Sequence, residues 1–304
     1  MKSNQLELKE LNTKEVNKEP WYWFFILFYK SVIVFIKDGT FYHGAALAYY
    51  TLFAFVPIVY LTTSIFGRIF GAKTMESIIN DVFKNQMGIN DSTGIMSLLN
   101  GVNFDKPSIW LEILSITIVI YTCSAFLVSL KRSINDLFKI KRSKIKEENL
   151  ILDIIGFRFL SLGLLALFAL VVILFYFVQI FVFSGLEYYL NANNFLVDFS
   201  FKLIQYVISI LSNAIIFTLI FKYIHDGKVE IKLAIKGAIV TSILLFFSQL
   251  LIKYYLQNYF TLGNLGIVGS LFIFLAWVNY SAQIVFLGAR FTQMLGEKIG
   301  VPIK

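Results

Sequence analysis

GIVGSLFIFLAWVNYSAQIVFLGARFTQML, residues 266–295, carries no charged side chain before Arg290. As a helix such a run reaches about 45 Å, more than the roughly 30 Å hydrocarbon core of a bilayer. Lipid offers no partner to a free backbone group, so a run of this kind crosses a membrane as a helix. Five further runs read the same way: 44–66, 109–130, 150–183, 201–221 and 233–256. The third and sixth runs in chain order exceed what a span needs and are expected to tilt or project. The expected fold class is all-α, a polytopic bundle of six transmembrane helices over residues 44–295.

Composition points the same way. Of 304 residues, 58% are hydrophobic and 15% charged, with a mean hydropathy of +0.72. Soluble domains hold about 45–50% apolar and about 25% charged residues. A cytosolic enzyme, a disordered chain, a collagen-like fibre and a disulfide scaffold are all disfavoured. Cys123 is the single cysteine, so no intrachain disulfide and no cysteine-based zinc site can form.

Residues 1–20 are polar and mixed in charge, without the pattern of a cleavable signal, and read as a cytoplasmic tail. Residues 21–37 open on Trp21, Tyr22, Trp23, Phe24 and Phe25 and are interrupted by Lys30 and Ser31. The apolar part is too short to span comfortably, and aromatic rings favour the headgroup boundary. An interfacial helix is expected there. The rival reading, a short extra span, would reverse every loop. Residues 296–304 read as a second cytoplasmic tail.

Orientation follows from charge. With both ends inside, the cytoplasmic segments 1–43, 131–149, 222–236 and 290–304 hold 20 of the 27 Lys and Arg residues, and the outside segments hold 6. That asymmetry places both termini in the cytoplasm. It also accounts for the net charge of +8 without a nucleic-acid partner. A multi-pass membrane location with both ends cytoplasmic is expected.

The outside loop 68–107 contains Met75, Ile78, Ile79, Val82, Phe83 and Met87 at near-helical spacing, which predicts an amphipathic helix covering the bundle or lying on the outer leaflet. The cytoplasmic loop 131–149 holds the densest basic stretch, KRSINDLFKIKRSKIK. A positive-inside anchor beside anionic headgroups is the plainer reading. A docking site for a protein or a phosphate-bearing partner is the sharper one. Membrane lipids are the partners expected in either case.

Little in the chain suggests catalysis. The two histidines, His43 and His225, fall at span ends, and a metal hydrolase needs three or four convergent ligands. There is no nucleophile elbow and no phosphate loop. The run GNLGIVG at 263–269 leads into a membrane helix and reads as helix packing. No catalytic residue, metal or cofactor is expected. A membrane hydrolase would require His43, His225 and a carboxylate to converge.

Polar residues inside spans are the default pointers to function. Glu112, Asp153, Arg158 and Arg290 all lie near span ends, where snorkelling or pairing explains them. The uncharged residues Ser212 and Asn213, with Asn279, Ser281 and Gln283, reach mid-span and form a candidate polar path. Interhelical hydrogen bonding is the plainer account of them. Pro57 is a candidate hinge in the first span.

Three stretches together resemble the YihY/BrkB family of bacterial inner-membrane proteins, historically mislabelled ribonuclease BN. They are GAALAYYTLFAFVPIVYL at 44–61, SLKRSINDLFKIKRSK at 129–144, and the run at 266–295. The similarity covers most of residues 20–298. It implies six spans with cytoplasmic termini and a role in the cell envelope, and no established reaction. Where the family usually carries a carboxylate after Leu-Gly-Ala, this chain has Arg290, and Asp38, Asp136 or Asp226 are candidates to compensate it. The role expected is transport or organisation of a lipid or other amphiphilic envelope component, without enzymatic activity. The alternative is a scaffold that holds a partner through the basic loop. Ribonuclease chemistry lacks an acid/base or metal constellation in this sequence.

Overall fold

The computed structural model describes residues 20–70, 77, 109–140, 163, 195–259 and 266–303. Among them every regular element is helical. The helices are α1 (Pro20–Lys37), α2 (Phe41–Phe70), α3 (Ile109–Leu137), α4 (Phe195–Tyr223), α5 (Ile231–Tyr259) and α6 (Gly266–Lys298). Four helical stretches are long and apolar enough to cross a membrane: Ile109–Leu137, Leu203–Tyr223, Ile231–Leu256 and Leu271–Lys298. The expected third span at 150–183, the amphipathic helix of the outside loop, most of the basic loop and Arg158 lie outside the described residues.

Packing runs α4 on α5, α5 on α6, α6 on α2 and α2 on α3, and α1 lies against α6. The circuit closes at one end, where Phe138, just beyond α3, meets Phe221 and His225 near the end of α4. This is the end at which α1 sits, and it is called the α1 end below.

Burial is concentrated there. In α3 the buried residues run from Thr122 to Leu137. In α4 the buried apolar residues begin at Ala214, and in α5 they stop at Leu245. The main core joins Leu127, Ile134, Phe221, Leu233, Phe286 and Phe291, and a small second cluster holds only Ile273 and Phe274. The far halves instead expose Ile109, Trp110, Ile113 and Ile120 on α3, and Phe199, Leu203 and Val207 on α4. Exposed apolar rows of this length suit a lipid solvent and would be a liability in water.

Small residues explain the close contact of α5 and α6. A Cβ on Gly237 would lie 2.0 Å from Thr292 Oγ1, and a Cβ on Gly288 would lie 2.0 Å from Thr241 Oγ1. Gly296 takes Leu233 in the same way. Each helix therefore offers a glycine where its antiparallel neighbour offers a threonine. The threonine hydroxyls are satisfied within their own helices, by Gly237 O and Gly288 O at 2.7 Å.

The turns use standard chemistry. Gly39 ends α1 at φ +64°, and Thr40 Oγ1 donates back to Phe35 O at 3.2 Å. After α3 the left-handed position is taken by Lys139, at φ 57°, and Ile140 N donates to Asn135 O at 2.9 Å. α2 runs unbroken through Pro57. The ring removes the amide that Phe53 O would otherwise accept from, so a carbonyl is freed without a break in the helix.

α1 has three faces. Leu27, Ser31 and Phe35 are buried toward the bundle, with Phe24 and Phe28 against Phe291. Tyr22, Phe25, Tyr29 and Ile36 are exposed on another side. Its partners on α6 run only from Arg290 (with Asp38) to Lys298 (over Trp23), with Met294 receiving Ser31 between. About 22 Å of α1 thus meets about 12 Å of α6, so the helices cross rather than run side by side.

Candidate functional site

The polar residues of the α1 end converge on one short stretch, Ser133 to Leu137, in the last turns of α3. Helical spacing sends these neighbours in different directions, so a single turn reaches three other elements.

The first tie goes to α2. Ser133 Oγ lies 2.9 Å from His43 Nδ1 and 2.8 Å from Ser129 O. A hydroxyl has one proton. Given to Ser129 O, that proton leaves His43 to donate from Nδ1, and Nε2 is then the bare nitrogen. Nε2 is buried without a hydrogen-bond partner, 3.9 Å from Asp136 Oδ2. Serine, histidine and aspartate meet here, but not as a nucleophilic triad. Ser133 is 1% exposed, its proton is committed to a backbone carbonyl, and the aspartate is beyond hydrogen-bond reach.

The second tie goes to the loop after α4. Asn135 Nδ2 donates to Asp226 Oδ2 at 2.8 Å, and Asp226 N donates to Asn135 Oδ1 at 3.0 Å. Lys131 adds an ion pair to the same carboxylate at 2.5 Å. Next to it His225 closes α4: Nε2 donates to Phe221 O at 2.7 Å, and Nδ1 accepts from Gly227 N at 3.0 Å. Both ring nitrogens are used by the neutral form. Burial holds this imidazole below its ordinary value of 6.5, with the Phe221 bond and Asp226 acting the other way. His225 and His43 share no partner.

The third tie goes to α6 and α1. Arg290, 2% exposed, donates from Nη1 to Leu137 O at 2.8 Å and to Gln293 Oε1 at 3.4 Å. Its Nη2 is ion-paired with Asp38. Leu137 O is one of the last carbonyls of α3, which lack helical donors and carry the negative end of the macrodipole. Of the three carboxylates named as compensators, Asp38 is the one that meets Arg290, while Asp136 faces His43 and Asp226 faces Asn135 and Lys131.

The remaining candidates are dispersed. Gln283 Nε2 donates to Phe41 O at 2.8 Å and lies 3.5 Å from Asn279 Oδ1. This bond ties α6 to a carbonyl in the first turn of α2 and requires the bare backbone of Gly44, whose Cβ would fall 2.3 Å from Gln283 Nε2. Ser281 lies on the other side of α6, on the row of Gly288 and Thr292, and its buried hydroxyl has no partner among the described residues. Ser212 and Asn213 are half-buried on α4, which packs on α5. The Tyr206–Phe246 contact and the glycine–threonine register set them level with residues near 289 of α6. They stand about 9–15 Å along the bundle from Asn279 and Gln283. The five residues therefore form no single patch. Glu112, in the first turn of α3, accepts from Ser64 Oγ at 2.6 Å.

Sequence reading passed over Ser133 and Asn135, which look like ordinary polar residues of a basic loop. It also passed over the Gly-x-x-x-Thr spacing of Gly237/Thr241 and Gly288/Thr292. That repeat, at small-residue spacing on two consecutive spans, was the available signal. Among the described residues no group of three or more His, Cys, Asp or Glu residues is placed to hold a metal.

Comparison with known proteins gives one match. The family described as Virulence factor BrkB matches residues 32–303. No curated protein and no solved structure matches the chain.

Proposed function

The chain belongs to the Virulence factor BrkB family, and from that premise we propose that it is a six-span protein of the bacterial inner membrane that moves or organises a lipid or other amphiphilic envelope component. The reading takes α2 as a fifth span and residues 150–183 as the sixth. Both termini are cytoplasmic, so the α1 end faces the cytoplasm. Support for this orientation comes from the basic residues gathered at that end and from α1, which crosses α6 and turns Tyr22, Phe25, Tyr29 and Ile36 away from the bundle. Such a helix lies in the headgroup layer with its rings in the acyl boundary.

The observation that carries the function is the asymmetry of packing. Polar ties and the main core close the α1 end, while the far halves of α3 and α4 expose apolar rows. A bundle closed on one side and open laterally on the other suits an amphiphile, which enters from the membrane rather than from water. The protein acts without covalent chemistry. The reading assigns no ribonuclease activity: Ser133, His225 and Arg290 are committed to backbone carbonyls, and Asp226 to Asn135 and Lys131.

The test is lipid analysis and native mass spectrometry of the full chain purified in mild detergent. A stoichiometric lipid or envelope precursor supports the reading. A clean protein, or one that holds a second protein, favours a scaffold role. That second reading has its own observation: Arg132 and Lys139 are exposed at the start of the basic loop, while Ser133, Asn135 and Leu137 between them are buried.

A further inference from the structure

Four cations of the α1 end are engaged within the chain. Arg290 is paired with Asp38, Lys131 with Asp226, Lys222 donates to Val229 O, and Lys298 sits over Trp23. Lys232 and Lys236, in contrast, are exposed on α5 and have no partner among the described residues. They lie one turn apart on the side of α5 opposite its buried row of Ala234, Gly237, Ala238, Thr241 and Leu245.

The same outward side continues through Ile239, Ile243, Phe247, Leu251 and Tyr254, all exposed. From Lys236 to Tyr254 the rise is about 27 Å, and from Lys232 it is about 33 Å, which brackets the thickness of a bilayer core. One side of α5 thus presents two exposed ammoniums without a counter-charge among the described residues, a continuous aliphatic and aromatic row, and a tyrosine at the other boundary. An ammonium at that depth either snorkels to water or meets an anion held in the membrane.

We propose that this side of α5 binds an anionic phospholipid of the cytoplasmic leaflet. The phosphate sits between the ammoniums of Lys232 and Lys236, and an acyl chain lies along Ile239, Ile243 and Phe247. The site rests on the orientation proposed above and does not depend on transport. The two lysines together give a preference for an anionic over a zwitterionic headgroup on the order of tenfold.

The experiment uses the full chain, delipidated in detergent and exchanged with equal amounts of phosphatidylglycerol and phosphatidylcholine, then read by native mass spectrometry. Wild type retains phosphatidylglycerol about tenfold over phosphatidylcholine, Lys232→Gln/Lys236→Gln loses that preference, and Lys253→Gln near the other end keeps it. Equal retention of the two lipids by wild type overturns the proposal, as does a preference that survives the double substitution. Displacement of the lipid by millimolar inorganic phosphate overturns it in favour of a free-anion site. Labelling of a Lys228→Cys variant by an impermeant maleimide separates the two levels. Reaction only from the periplasmic side overturns the orientation, and the site with it. Reaction from the cytoplasmic side without lipid preference overturns the site alone.

Discussion

The guanidinium of Arg290 in α6 is paired with Asp38, the residue that follows α1, and the same guanidinium donates to Leu137 O at the end of α3. The two partners differ in exposure, 3% for the arginine side chain and 39% for the aspartate. Water can therefore serve the aspartate alone but not the arginine. Asp38→Asn leaves a buried cation without its counter-charge and is expected to cost about 2–3 kcal/mol, below the 3–5 of fully buried pairs because Asp38 is partly solvated. Adding Arg290→Met to Asp38→Asn should recover part of that loss. Thermal unfolding of the three variants in one detergent tests this, and a double variant worse than Asp38→Asn would contradict it.

The contact between Gly237 and Thr292 predicts a steric failure with a partial cure. Gly237→Ala puts a methyl group 2.0 Å from Thr292 Oγ1 and 2.7 Å from Cγ2. Overpacking of this kind costs about 1–3 kcal/mol. Thr292→Ala removes those two atoms but leaves Cβ at 2.8 Å, still too close. Gly237→Ala/Thr292→Ala should thus lie between wild type and Gly237→Ala in melting temperature. Equal melting of Gly237→Ala and wild type would mean that α5 and α6 are not held at this spacing.

Much of this architecture was legible because it depends on local sequence. The helices follow from uninterrupted apolar runs, and α1 follows from its aromatic start and its short length. The plainer reading of mid-span polar groups also served for Gln283, which bonds a backbone carbonyl of α2. What was not legible depends on pairing at long range. Ser133 meets His43 across 90 positions and Asn135 meets Asp226 across 91. No periodicity within one helix records such a partner. Arg290 illustrates the boundary: sequence named three carboxylates, and only the packing of α1 on α6, with Asp38 held at the end of α1 by the bond from its N to Val34 O, brings Asp38 rather than the others to it.

Lys139 predicts a gain. It occupies a left-handed conformation at φ 57°, which costs a side-chain-bearing residue roughly 1–2 kcal/mol. Lys139→Gly removes that strain and keeps the bond from Ile140 N to Asn135 O. The added freedom of glycine in the unfolded chain offsets part of the benefit. A net stabilisation of about 0.5–1 kcal/mol is expected, read as a higher melting temperature. A lower one would show that the lysine side chain contributes more than its backbone costs.

His225 predicts the direction of pH dependence. Its imidazole accepts from Gly227 N and donates to Phe221 O, an arrangement that only the neutral ring completes. Burial holds its pKa below 6.5 in the folded chain. Below pH 6.5 the unfolded chain therefore binds a proton that the folded chain resists, and stability rises with pH where the unfolded state holds more protons. The contribution is present in full above 6.5 and is lost as pH falls through the folded value. Melting temperature should accordingly decline from pH 7 toward pH 5. His225→Asn keeps an acceptor for Gly227 N, does not titrate in this range, and gives up the bond to Phe221 O. It should start from a lower melting temperature at pH 7 and fall less steeply. A wild-type curve that is flat or rises on acidification, or an Asn variant with the same slope, would place the acid sensitivity of the bundle elsewhere.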